Sequence, residues 1–167
     1  MKIPHANRGK SFEQIIESSN RQYQLKKWAT VQKVPNPWRV IRRGKQIVSA
    51  HPEKKSTVDF VGVAHGKAIA FDAKSTRETT RFPIGNIEEH QMRFLKNYQD
   101  QGGTCFVLIE FAKLNETYFV PFDSVLDYWN KAMTGGRKSI PYKDMGQFPR
   151  VLSGRGIALD YLAAVGL

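Results

Sequence analysis

One cysteine, Cys105, stands in a chain of 167 residues, which excludes an intrachain disulfide and a zinc cluster of the cysteine type. It lies in the apolar string Cys105-Phe106-Val107-Leu108-Ile109, where a buried, inert thiol is expected. No apolar run approaches the roughly 18 residues that a membrane-spanning helix needs. No signal-peptide pattern opens the sequence, and the expectation is a soluble, cytoplasmic protein with no membrane association. Internal repeats and low-complexity tracts are absent as well. Acidic residues are few: 15 Asp and Glu against 26 Lys and Arg, a formal charge of +11. Such an excess favours a polyanion as partner, although it also serves solubility alone. Hydrophobic residues at 41% and this length suit one globular domain over residues 1–167.

Residues 58–75 organise the rest. Residues 58–64 and 67–75 are rich in β-formers, and His65-Gly66 between them suits a two-residue hairpin turn, because glycine accepts a positive φ. That turn pairs residue 64 with 67 and, counting outward, places Asp59 opposite Asp72. Like charges so placed repel, so the pair needs a shared proton or a cation. Lys74 lies two residues beyond Asp72 and points from the same face. Two carboxylates and an ammonium on one face suit Mg²⁺ or Mn²⁺, which take oxygen ligands. The alternative is an Asp–Lys pair on a solvated hairpin. The apolar Ile69, Ala70 and Phe71 speak against a wet edge strand.

Around this hairpin, residues 1–10 form a basic, flexible arm with Arg8 and Lys10. A helix is expected over residues 11–24, capped by Ser11, with Phe12, Ile15, Ile16, Ser19 and Tyr23 on its inner stripe. Its Glu13 either favours the helix N-terminal half or flanks the metal site. A first strand covers residues 28–34. Residues 35–56 read as a projecting arm with a hairpin turn at Arg43-Gly44 and Val40 facing Ile47. Here Arg39, Arg42, Arg43, Lys45, Lys54 and Lys55 interleave with apolar and aromatic residues, a pattern for phosphate contact and base stacking; a long solvated loop is the alternative.

Arg77 and Arg81 belong to a loop near the active face. A helix over residues 86–101 starts at an Asn86/Glu89 capping box and stops at Gly102-Gly103. Gln91 sits on its apolar stripe and must find a partner: a backbone group, a metal-bound water or a phosphate. Residues 104–112 form a central strand and 116–121 its neighbour. Asp123 caps a helix reaching Met133. Gly135-Gly136 with Arg137, Lys138 and Ser139 suits either a phosphate cradle or a plain basic loop. Residues 160–165 close the chain as a short helix or strand.

The D-A-K tripeptide at the end of an apolar strand, with an Asp one strand earlier, resembles the PD-(D/E)XK nuclease motif. Wider pieces resemble the RecU family of Holliday junction resolvases: Asn7-Arg8-Gly9 with Phe12-Glu13, Ser56-Thr57-Val58-Asp59-Phe60, Asp72-Ala73-Lys74, Phe82-Pro83-Ile84 through His90-Gln91, Asn115-Glu116-Thr117-Tyr118, Trp129-Asn130-Lys131, Leu159-Asp160-Tyr161 and, most specific, Gly135-Gly136-Arg137-Lys138-Ser139-Ile140-Pro141. The likeness covers nearly the whole chain. It implies an α/β, restriction-endonuclease-like mixed sheet flanked by helices, with residues 35–56 as a basic stalk entering the junction centre. It implies a homodimeric, Mg²⁺-dependent endonuclease, with Mn²⁺ as a substitute, that cuts four-way DNA junctions by paired symmetric incisions. A recombinase or branch-migration helicase belongs to the implied partners. By that likeness Asp59, Asp72 and Ala73 bind metal, Lys74 is the catalytic lysine, Glu13 is a further acid and Gln91 lines the site. The family carries Glu where this chain has Asp72, and a shorter side chain draws the metal toward the strand. Two other readings compete: a nuclease of the same superfamily acting on other branched or duplex DNA, and a junction-binding protein with a vestigial site.

Overall fold

A computed structural model describes residues 11–52 and 57–167. Arg8, Lys10, Lys54 and Lys55 therefore lie outside the described residues, as does the arm over residues 1–10. The elements run α1 (Phe12–Leu25), β1 (Ala29–Lys33), β2 (Trp38–Arg43), β3 (Gln46–Pro52), β4 (Phe60–Ala64), β5 (Lys67–Thr76) and β6 (Arg81–Pro83). A 3-10 turn over Ile84–Asn86 leads to α2 (Glu89–Asp100), then β7 (Thr104–Phe111), β8 (Glu116–Pro121), α3 (Phe122–Met133) and β9 (Ser139–Pro141). A second 3-10 turn (Tyr142–Gln147) and α4 (Tyr161–Val165) follow.

Five strands form a mixed sheet in the order β1-β4-β5-β7-β8. Only β5 and β7 run parallel, joined by the crossover through β6 and α2. This is the mixed α/β sheet with flanking helices that the sequence leads one to expect. Strand alternation divides the core. Ile69, Phe71 and Ala73 of β5 join the cluster under α1 and α4, while Ala70 joins the cluster under α2 and α3. Phe60, Phe71, Phe106 and Phe119 run across four strands with ring centroids 5.0, 4.6 and 4.7 Å apart. Aromatic contacts of this kind add roughly 0.5–1.5 kcal/mol per pair beyond area burial, so this row sets the register of the inner strands.

The central hairpin has the expected register. Ala64 pairs with Lys67 and Phe60 with Phe71. His65 (φ 48°) and Gly66 (φ 79°) both take the left-handed region, as a type I′ turn requires. β1 comes close enough to β4 that a Cβ on Gly62 would stand 2.2 Å from the Thr30 carbonyl oxygen, which reserves that position for glycine.

α1 is capped by Ser11 with Gln14 as its reciprocal partner. Its inner face is partly polar, and that polarity ties down the C-terminal segment. Ser19 Oγ accepts from Leu159 N (2.9 Å), Tyr161 donates to Asn20 (2.6 Å), and Tyr23 donates to Asp160 (2.9 Å). Asp160 also caps α4 through Ala163 N.

Three expectations need correction. The α2 helix starts at Glu89 with Glu88 as its N-cap, not at an Asn86/Glu89 box, because residues 84–86 form a 3-10 turn that buries Ile84 and Ile87 under the sheet. Asp123 lies in the first turn of α3 rather than at its cap; Pro121 holds the cap position, and Asp123 accepts from Gln99 Nε2 at 3.0 Å. In the projecting hairpin the tip is Gly44-Lys45, so Arg43 pairs with Gln46, and a register shift between Ile41 and Arg42 leaves Val40 opposite Ala50 rather than Ile47. Gly44 takes φ +61°, and glycine at the first central position is what a type II′ turn demands.

Candidate active site

Asp59 sits just before the first residue of β4, and Asp72 lies directly after the last β4-paired residue of β5, so both carboxylates stand where the ladder opens. Their proximity is relieved by backbone amides, a means the sequence did not reveal. Asp59 N donates to Asp72 Oδ1 (3.1 Å), and Ala73 N donates to Asp59 Oδ2 (2.9 Å). Each carboxylate is thus oriented by the other strand's end. Ala73 has only backbone to offer here, and its peptide is held against Asp59.

Asp72 is fully buried. Gln91 Nε2 donates to its Oδ1 at 3.1 Å, and Gln91 Oε1 accepts from Glu88 N at 2.9 Å. The amide expected to seek a partner therefore finds two, one of them the central carboxylate. Lys74 Nζ stands 2.6 Å from Asp72 Oδ2. That oxygen accepts no hydrogen bond of normal geometry among the described residues, so the Lys74 contact is an ion pair and not a directed hydrogen bond. Burial, and secondarily the Asp59 charge, push the Asp72 carboxyl up to about 7 against the opposing pull of Lys74. A buried carboxylate with raised proton affinity beside a second carboxylate fits a hard divalent cation.

Glu13 is placed differently. It pairs with Lys33 Nζ (2.5 Å), which also reaches Glu17 (3.6 Å). Lys33 is the β1 residue opposite Phe60, one position from Asp59. Among the described residues no group of three or more His, Cys, Asp or Glu side chains gathers as a metal cage. The sequence carried no signal for Lys33 as the counter-ion of Glu13, because the two meet only once α1 packs on β1.

The basic residues fall into two groups. Arg39, Arg42, Arg43 and Lys45 lie on the β2–β3 hairpin, every residue of which from 38 to 51 is exposed. Trp38, Val40, Ile41, Ile47 and Val48 are large apolar side chains exposed on the same hairpin. Arg77 follows the end of β5 and is exposed. Arg81, Arg137 and Lys138 share one notch with Pro83 and Ser139. Cys105 is buried, donates weakly to Leu95 O (3.4 Å), and is pushed up to about 12 by desolvation, as expected of an inert thiol.

The sequence profile of Recombination protein U matches residues 7–166, which is nearly the whole chain. This chain belongs to the RecU family. Similar relatives include the Holliday junction resolvases RecU of Oceanobacillus iheyensis, 38% identical over 96% of this chain and 85% of its own, and of Geobacillus thermodenitrificans, 34% identical over 99% and 86%. That of Oenococcus oeni is 35% identical over 98% and 86%. Among solved structures, Hjc of Archaeoglobus fulgidus, a Holliday junction resolvase, aligns with a TM-score of 0.48 and 11% identity over 81% of this chain and 93% of its own. No helix among the described residues is long and apolar enough to cross a membrane.

Proposed function

We propose that this chain is a structure-specific endonuclease that resolves four-way DNA junctions by divalent-metal-dependent phosphodiester hydrolysis. The observation that carries the reading is the buried Asp72, held by Gln91 and by the Asp59 amide with Lys74 against its other oxygen, in a chain of the RecU family. Asp59 and Asp72, with the Ala73 backbone beside them, would hold Mg²⁺ or Mn²⁺. When bound, that ion supplies Lewis-acid polarisation of the phosphate and eases deprotonation of water.

The chain's own residues do the rest. Gln91 and the two backbone amides fix the carboxylate planes, so the ligands need no reorganisation during the reaction. Among the described residues Lys74 is the cation paired with Asp72, and it would meet the negative charge that develops on the phosphoryl oxygens. The exposed hairpin supplies Arg39, Arg42, Arg43 and Lys45 for the junction's crowded phosphates, with Trp38 available for stacking on an unpaired base. A two-fold substrate calls for two such sites, and a homodimer provides them.

The test is a gel assay on a labelled synthetic four-way junction with Mg²⁺, beside EDTA and Asp72→Asn controls. Paired symmetric nicks that vanish in both controls are expected. Tight junction binding without incision, even in Mn²⁺, would overturn the enzymatic reading and leave a junction-binding protein. Equal cutting of duplex would replace the junction with a broader substrate class.

A further inference from the structure

β6 and β9 form a two-stranded sheet of their own, with Arg81 opposite Pro141 and Pro83 opposite Ser139. Arg81 and Arg137 are far apart in sequence, yet with Lys138 they line one notch. The notch is rigidly built. Phe82 and Ile140 below it are fully buried, Ile84 N donates to Lys138 O (3.1 Å), and Tyr142 N donates to Thr80 O (2.8 Å). The turn that delivers Arg137 is compelled as well: Gly135 has φ +87°, and a Cβ on Gly136 would stand 2.6 Å from Lys131 O. Arg137 Nε donates to the hydroxyl of buried Ser139 (3.4 Å), which aims the guanidinium fork.

What the notch lacks is an acid. Lys33, Lys74, Arg93, Lys96, Arg150 and Arg155 each have a carboxylate partner, but among the described residues Arg81, Arg137 and Lys138 have none. Three like charges brought together on a fixed scaffold repel unless an anion sits between them. Arginine forks match the geometry of a phosphate oxygen pair. The notch also lies on the stretch that joins the two halves of the active site: β6 follows the end of β5 that carries Lys74 and leads into α2, which carries Gln91.

We infer that the Arg81–Arg137–Lys138 notch is a second phosphate seat, holding a non-scissile backbone phosphate of the DNA and so setting where the scissile bond lies against Asp59 and Asp72. This rests on the reading that the chain acts on branched DNA. It assigns these residues to strand placement, a role distinct from that of the exposed hairpin.

The experiment uses the full chain and a four-way junction in EDTA, so that binding is read without cutting. Single neutral methylphosphonates are stepped through the strand around the branch point. The wild type should lose affinity at the phosphates that the exposed hairpin contacts and at one or two further non-scissile positions, those of the seat. Arg81→Gln/Arg137→Gln should bind roughly tenfold more weakly, lose about two from the salt slope, and no longer sense those positions. Lys27→Gln/Lys67→Gln removes two exposed charges near the tip of the central hairpin and is the control. Both altered arginines are exposed, so melting temperatures should match the wild type. The seat is overturned if the arginine variant keeps the wild-type interference pattern, or if no non-scissile position beyond the hairpin's matters in the wild type. Should the wild type leave junctions uncut in Mg²⁺, the nuclease reading falls by itself, because the seat is measured without cleavage.

Discussion

Two hairpins in this molecule start from the same kind of local signal and end in opposite environments. β4–β5 lies inside the sheet, with Phe60, Ile69 and Phe71 fully buried, and it ends in two acids. β2–β3 is exposed from Trp38 to His51 and is rich in arginine. The buried hairpin has an uninterrupted ladder, because a one-residue slip would turn the aromatic row out of the core. The exposed hairpin carries a register shift at Ile41/Arg42, which nothing beneath it forbids. On the proposed function, burial enforces register where the chemistry needs fixed carboxylates, and exposure leaves freedom where a large, flexible polyanion has to be met.

The largest effect should come from the buried side. Asp72→Asn should reduce junction cleavage to background and abolish saturable Mn²⁺ binding, measured by titration, while junction binding in EDTA persists. Loss of DNA binding together with cutting would break the division between the two hairpins. On the exposed side, removing residues 39–50 and joining Trp38 to His51 should spare Mn²⁺ binding and abolish the preference for junctions over duplex. Four cations leave with that segment, so the slope of log affinity against log salt should fall by about four. Unchanged junction affinity would show that the hairpin is not the junction reader.

Gln91→Ala sharpens the contrast within the buried side. It removes the donor to Asp72 Oδ1 without removing a ligand, and should cost about 10–100-fold in Mn²⁺ affinity or rate. Gln91→Glu places a third carboxylate beside Asp72 and should not restore activity.

The smallest effect is one of pH. Burial raises the Asp72 carboxyl to about 7, above the 3.8 of an ordinary aspartate. Between those values the folded chain keeps a proton that the unfolded chain has released. The metal-free protein therefore loses stability as pH climbs through that window, and the loss is complete above about 7. In EDTA at pH 8, Asp72→Asn should melt several degrees above the wild type, at about 2–4 °C per kcal/mol for a chain of this size. The two should converge near pH 4, and Mn²⁺ should reverse their order at pH 8.

Short-range chemistry determined a good deal by itself. The His65-Gly66 turn set the register that brings Asp59 to Asp72, strand alternation put Lys74 beside Asp72, and the helical stripe turned Gln91 inward. Apolar runs marked β7 and β8, and Ser11 marked the start of α1. Each of these follows from spacing within one or two adjacent elements. Tertiary structure decided the rest. The amides that relieve the carboxylate pair and the pairing of Glu13 with Lys33 depend on how neighbouring elements pack, while the tie from Tyr23 to Asp160 and the meeting of Arg81 with Arg137 join segments distant in sequence. Periodicity along one segment carries no information about which distant segment will pack against it. That choice belongs to the whole core, which here closes around β5 and leaves the basic hairpin outside.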